Sequence, residues 1–239
     1  MEALARHSRA NVAVWRADAQ ARQGGDWAQL DGLALHCTGI AQRQWNGAIL
    51  TAQTGLTQLP EATSWFAQRK VPWGLLIPSD FDGAPPGLVH VLDQPVMLRP
   101  TAELDPPPDL ELRWDAGEDA SAVQADAFDF DVADAREFVL PKLRSPVGAV
   151  VVAYDAGRPV ATATVFMGEG VAAVYGVGTV SSERRKGFGS AVTLAALHEG
   201  ARRGCELSFL NPSTSGYGVY RRLGFEDAAP NRIYRLPEQ

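Results

Sequence analysis

Two glycines two residues apart, preceded by three consecutive cations, form the pattern in this sequence best suited to holding an anion. The run is Val180-Ser181-Ser182-Glu183-Arg184-Arg185-Lys186-Gly187-Phe188-Gly189-Ser190, and it joins an apolar stretch to a helical one. Gly187 and Gly189 leave the backbone bare, so a ligand can approach its N–H groups. The N–H groups of a first helical turn have no intrahelical partner, and the helix dipole adds partial positive charge there. Three cations at that end are unfavourable by about 0.3–1 kcal/mol each. A bound polyanion reverses the sign, and a pyrophosphate at a helix N-terminus is a familiar arrangement. The bland alternative is a solvated basic turn. Two rival phosphate motifs fail: G-x-x-x-x-G-K-[ST] is absent, and Gly176-Val177-Gly178-Thr179-Val180-Ser181 starts as G-x-G-x-x-G but ends in serine inside a strand pattern.

A second motif follows, Tyr220-Arg221-Arg222-Leu223-Gly224-Phe225. Arg184-Arg185-Lys186-Gly187-Phe188-Gly189 matches the R/Q-x-x-G-x-G/A motif of the GNAT N-acetyltransferase superfamily, and the second run resembles that family's Y-x-x-L-G-F signature. The resemblance covers roughly Leu110–Leu236. It implies a mixed α/β acyl-CoA N-acyltransferase fold with acetyl-CoA (coenzyme A) as cofactor. Main-chain amides of Arg185, Lys186, Gly187, Phe188, Gly189 and Ser190 would hold the pyrophosphate, with Arg184 at the edge of the loop. The strand Val171–Val180 would splay from its neighbour, leaving Val177, Gly178, Thr179 and Val180 to the pantetheine arm. A bulge at Gly176 and Gly178, and a strand N–H for an oxyanion, fit that role. Asn211 and Ser213 would face the same arm, although Asn-Pro-Ser-Thr is equally turn and N-cap chemistry.

Tyr220 is the expected general acid and a further contact to the coenzyme. A phenol, with a reference pKa of about 10, is protonated at neutral pH and can supply a leaving thiolate. Its alternative is a half-buried aromatic on a short helix, with Tyr217 as a fallback. Many relatives carry a glutamate base on the strand before the loop. Val171–Val180 holds no carboxylate, so a water chain, Tyr175 or a carboxylate from the helical segment is left to assist. On the acceptor side, Asp115–Glu137 contains eight acidic residues against Arg136 alone. Phe128-Asp129-Phe130-Asp131 pairs rings with carboxylates, a combination that would attract a cationic amine. A solvated acidic helix face is the plainer alternative.

These residues need a scaffold. Leu110–Trp114, Gly148–Tyr154, Val160–Met167 and Val171–Val180 have strand patterns, and turn chemistry at Asp155–Pro159 and Gly168–Gly170 makes them a meander. Two helical patterns flank Asp129–Asp131 within Ala120–Leu143. Gly187–Arg203 is a helix, Glu206–Leu210 a strand and Ser215–Leu223 a short helix. Gly224–Asp227 and Arg232–Leu236 close the sheet. In the first half, Leu33–His36, Trp45–Ala52, Gly74–Ile77 and Val96–Leu98 suggest strands and Glu61–Lys70 a helix. Asp105-Pro106-Pro107-Pro108-Asp109 is a stiff linker by composition. The expected division is 1–104, a degenerate GNAT-like half without an R-x-x-G-x-G run; 105–109, linker; and 110–239, the half with the coenzyme site.

The chain has 239 residues, 46% hydrophobic, with a formal net charge of −6. An acidic chain is a poor general binder of nucleic acid, and a small-molecule or peptide amine is the better acceptor. Cys37 and Cys205 stand alone and suggest neither a disulfide framework nor a metal site. No signal-peptide core or run of eighteen apolar residues is present. The expectation is a cytoplasmic monomer or homodimer that transfers an acyl group. The competing expectations are a non-catalytic acyl-CoA sensor and an interaction module.

Overall fold

The computed structural model describes residues 2–42, 45–106 and 109–237. Its elements are α1 (Glu2–Ala21), β1 (Asp26–Leu30), β2 (Leu33–Cys37), β3 (Gly47–Leu50), α2 (Leu59–Arg69), β4 (Gly74–Ile77), β5 (Val89–Pro100), β6 (Glu111–Trp114), α3 (Gly117–Phe128), α4 (Val132–Val139), β7 (Gly148–Asp155), β8 (Arg158–Gly168), β9 (Val171–Thr179), α5 (Phe188–Arg202), β10 (Leu207–Leu210), α6 (Tyr217–Arg222) and β11 (Glu226–Arg235). Among the described residues no helix is long and apolar enough to cross a membrane. No group of His, Cys, Asp and Glu among them could hold a metal ion.

Two compact units emerge, residues 1–96 with 228–239, and residues 97–227. The expected division fell at 105–109 and kept 228–239 with the second half. In the structure the divisions fall within β5 and within β11, and Pro107 and Pro108 lie outside the described residues.

In the first unit the ladder runs β1-β2-β3-β4-β11. β3 and β4 are parallel and fully in register, Gly47 opposite Gly74 and Ile49 opposite Leu76. Phe66 stacks on Trp73 with ring centroids 4.8 Å apart, and both sit in a core with Leu35, Leu50, Leu75 and Ile77. The helix α1 has no counterpart in the sequence expectations. Its inward face mixes Ala10, Val14 and Ala19 with buried His7, Asn11 and Asp18, so its apolar period is faint. Asp18 is satisfied by Arg22, whose Nε and Nη2 donate to it at 2.9 and 3.0 Å.

In the second unit the order is β5-β10-β9-β8-β7-β6. β6 through β9 form the antiparallel meander expected from the turns. β9 then crosses through α5 to β10, which lies parallel to it. One face packs on α5: Val151, Ala163, Val165 and Val174 join Val192, Ala196 and Leu197. The other meets α3 and α4: Val150, Val152 and Tyr154 join Ala120 and Val139. Alternation along each strand supplies both faces.

Two expectations change. Val96–Leu98 is part of a twelve-residue strand. The two closing strands are one, β11, which continues through Pro230. Proline lacks the ladder donor, and Pro230 lies outside the β4 ladder, which takes Arg232–Arg235.

Candidate functional site

The site begins where β9 leaves its neighbour. β9 and β10 pair only as Leu207–Val171, Ser208–Ala172 and Phe209–Ala173. β9 continues six residues further, to Thr179, held on its other side by β8. The β8 register shifts between Thr162, opposite Gly178, and Thr164, opposite Tyr175. An extra residue is therefore accommodated at Gly176 and Val177, the bulge expected from the glycines. Gly176 has φ +57°. Val177 packs toward the α5 face. Gly178 turns the other way: a Cβ there would lie 2.9 Å from Ala127 Cβ and 3.2 Å from Phe128 Cε2. The glycine lets the end of α3 press onto the strand.

After Thr179 the chain makes a short 3-10 turn, Ser181–Glu183, and then the basic run. Val180 N–H donates to Val160 O at 2.9 Å, so that amide stays inside the sheet. Arg185 and Gly187 are left-handed, φ +67° and +91°. A Cβ at Gly187 would meet nothing within 4 Å. The glycine is required by the backbone conformation, and space does not demand it. Gly189 approaches Thr179, with Oγ1 3.2 Å from where a Cβ would stand. Among the described residues, the amides of Arg184 through Ser190 donate to no protein acceptor; the first helical amide to find one is Ala191, on Gly187 O at 3.0 Å. Seven consecutive main-chain donors at the head of a fifteen-residue helix are an arrangement able to cradle an anion.

The three cations play different parts. Arg184 turns back: its Nη2 donates to Ala127 O at 2.9 Å and its Nε to Thr179 O at 3.4 Å. Lys186 pairs with Glu183 at 2.6 Å, and Arg158 stands 3.7 Å from the same carboxylate. Lys186 holds the Glu183 carboxyl below its usual range. Arg185 is exposed and makes no ion pair among the described residues. Phe188 is buried in the core, leaving only its main chain to the cradle. The side chain of Ser190 is half-buried.

Tyr220 lies on α6, its ring over Gly216, where a Cβ would come within 3.0 Å of Cε2. It meets Phe225 edge-on at 6.0 Å. Burial pushes its pKa up to about 12, and its hydroxyl has no hydrogen-bond partner among the described residues. Tyr217 is engaged: its hydroxyl donates to Asp227 at 2.6 Å, and that carboxylate raises its pKa. Ser213 lies in the turn before α6, its Oγ accepting from Gly216 N–H at 3.2 Å. Asn211 is half-buried just beyond β10.

Much of the acidic segment has structural work. The Asp131 side chain caps α4, accepting from Ala133 N–H at 2.7 Å. Asp129 ends α3 in the left-handed conformation. Glu118 pairs with Arg136 at 2.8 Å. Tyr154 donates to Asp119, and burial together with that carboxylate pushes its pKa up to about 12. Asp126 accepts from Ser181 N–H at 2.5 Å, which holds its pKa down. Phe128 is exposed and tilts against Phe130 at 5.9 Å. Tyr175 packs edge-on to Phe166 and Phe209, at 6.3 and 5.9 Å.

Two further residues carry no signal in the sequence. Gln124 is fully buried, its Nε2 donating to Gly176 O at 3.2 Å. Its Oε1 has no partner, nor does the Oγ1 of fully buried Thr164. Each such atom costs about 1–3 kcal/mol in desolvation. A lone Gln in a helix and a Thr in a strand look ordinary until the fold buries them.

The family model described as "Probable histone acetyltransferase Rv0428c C-terminal" matches residues 12–234. No curated protein sequence matches the chain. Among solved structures, a GCN5-related N-acetyltransferase from Kribbella flavida is similar at 23% identity with TM-score 0.71, covering 96% of each chain. A protein of unknown function from Staphylococcus epidermidis is similar at 11% identity, TM-score 0.64, over 90% of this chain and 95% of its own. A GCN5-related N-acetyltransferase from Sphaerobacter thermophilus is similar at 17% identity, TM-score 0.54, over 85% and 76%.

Proposed function

Since the chain belongs to the Rv0428c C-terminal family of the GNAT superfamily, with the fold that supports acyl transfer, we propose that it moves an acetyl group from acetyl-CoA to a primary amine. The observation that carries this reading is the row of unpartnered amides from Arg184 to Ser190 beside a strand that outruns its parallel neighbour. The donor set fits a pyrophosphate: main-chain N–H groups, a helix start and the exposed Arg185. Val177, Gly178 and Thr179, on the part of β9 beyond its pairing with β10, would lie along the pantetheine arm. The coenzyme supplies the activated thioester.

This chain's residues do the rest. The bulge at Gly176 and Val177 breaks the β8 register and lets a strand N–H stabilise charge on the carbonyl oxygen. Tyr220 keeps its proton across the physiological range, because burial holds its pKa near 12. It is the donor for the departing sulfur. Phe128, Phe130 and Tyr175 line the acceptor side, with Asp129 and Asp131 as exposed acidic groups that favour cations. The acceptor is an amine of a small molecule or of a basic peptide, the second prompted by the family description. The absence of a carboxylate from β9 also favours a second reading, an acyl-CoA sensor without turnover. A thiol-release assay with acetyl-CoA against spermidine, glucosamine and a lysine-rich peptide decides. Release with at least one amine is expected; calorimetric binding of CoA with no release by any amine supports the sensor.

A further inference from the structure

The run Tyr220-Arg221-Arg222-Leu223-Gly224-Phe225 is the closing turn of α6. Gly224 is left-handed, φ +77°. Phe225 N–H donates to Tyr220 O at 3.0 Å and Gly224 N–H to Arg221 O at 3.1 Å, the paired bonds of a Schellman cap. Phe225 also meets the Tyr220 ring edge-on. The cap thus holds Tyr220 by its carbonyl and by its ring, and leaves Leu223 O over. Arg99 takes that carbonyl: its Nη1 donates to Leu223 O, while its Nη2 reaches Glu103 O at 3.3 Å. Arg99 is buried, and among the described residues it has no carboxylate partner. A buried guanidinium that faces carbonyls alone is costly. The negative end of α6 offsets part of that cost. Arg99 is itself firmly held. It lies on β5 opposite Ser208 of β10, and Ser208 Oγ donates to Arg99 O at 3.0 Å. Two residues on, Thr101 N–H donates to Glu206 O at 3.0 Å. β10 is the strand that β9 outruns, so Arg99 ties the end of α6 to the strand whose shortness opens the site.

We infer that Arg99 is a positioning residue for Tyr220: it fixes the C-terminal end of α6 against β10, so that the phenol meets the departing sulfur. The inference rests on the acyltransferase reading, with Tyr220 as proton donor, and deepens it. Arg99 acts through the helix, since both its guanidinium bonds go to main-chain carbonyls. A misplacement of about 1 Å can cost about 10²-fold in rate. Lysine is no substitute, because an ammonium lacks the planar fork that spans two acceptors.

The test is a double-mutant cycle in the full chain, with acetyl-CoA and the three amines named above. Arg99→Met and Arg99→Lys are each combined with Tyr220→Phe. Arg99→Met alone is expected to lower kcat about thirtyfold or more, with the acceptor KM and the calorimetric Kd for CoA held within about threefold. In the Tyr220→Phe background the same substitution should cost less than about threefold, because the group it positions is gone. A merely structural defect costs the same in both backgrounds. Arg99→Lys keeps the charge and decides if Arg99→Met fails to fold; it should show the same pattern with a smaller loss. Hydrogen exchange should quicken at Gly224 and Phe225 and stay unchanged in α5. Equal losses in both backgrounds, or an unchanged kcat in both Arg99 variants, overturn the positioning role alone. An unchanged kcat in Tyr220→Phe overturns the proton donor and the positioning role together. No thiol release by the wild type with any amine overturns the acyltransferase reading and the positioning role with it.

Discussion

Each unit contains one parallel strand–helix–strand crossover, and the two have been put to different ends. In the first, β4 pairs with Gly47, Ala48 and Ile49, all but the last residue of β3. The loop beyond β3 is closed by its own chain: the amides of Thr51 and Ala52 both donate to Gly32 O, at 2.9 and 3.2 Å. Its helix opens with Pro60 and Glu61, one lacking a donor and the other repelling an anion. In the second unit β9 passes its partner by six residues, the loop amides stay open, and three cations precede the helix. A crossover becomes a binding site when the first strand is too long for the second and the loop keeps its donors. Parallel pairing of adjacent strands is common to both and decides nothing.

The sharpest way to break this contrast is to close the second loop. Gly187→Val places a β-branched residue at φ +91°, where only glycine is comfortable. CoA affinity is expected to fall about a hundredfold or more by calorimetry (roughly 3 kcal/mol), with α5 intact by circular dichroism. Tyr220→Phe comes next. It removes a hydroxyl without a protein partner, so folding should hold, while kcat for thiol release drops about 10²–10³-fold at unchanged CoA affinity.

The units should also differ in pH response. Burial lowers the His7 pKa from 6.5 to about 4. A folded value below the unfolded one means that His7 favours folding above pH 6.5, and this contribution is lost as pH falls toward 4. The loss approaches about 3 kcal/mol, measurable by urea denaturation, and His7→Leu should flatten that slope. Tyr220 behaves oppositely. Its pKa is raised from 10 to about 12, so its contribution holds below pH 10 and is lost as pH rises from 10 to 12. The smallest effect separates two neighbouring cations. Arg185→Ala should weaken CoA binding about fivefold, more so at low salt, whereas Lys186→Ala should change it less than twofold because Glu183 already neutralises Lys186.

What the sequence revealed follows from where its signals are local. β7 and β8 are β-branched runs around a turn, α5 stops just before Gly204, and the cradle is seven consecutive residues, so each could be read in place. α1 could not, because His7, Asn11 and Asp18 interrupt the face it buries. β11 was divided at Pro230, since a proline argues against a strand unless the pairing on each side is known. Gln124 was invisible for a deeper reason: its role depends on Gly176, fifty-two positions away, and only the folded register brings them together. Arg184 was counted as a cation of the loop, and its bond to Ala127 O on α3, fifty-seven positions away, belongs to the same long-range class.

The two bonds that moor the loop to the end of α3, Ser181 N–H to Asp126 and Arg184 to Ala127 O, have a thermodynamic corollary. The donor and the acceptor would press on opposite ends of one short mechanical linkage. If occupying the cradle stiffens α3, CoA must tighten the amine by some factor, and the amine must tighten CoA by that same factor. Cutting the linkage with Asp126→Ala would then shrink both cooperativities equally, while leaving each ligand's solitary affinity nearly untouched.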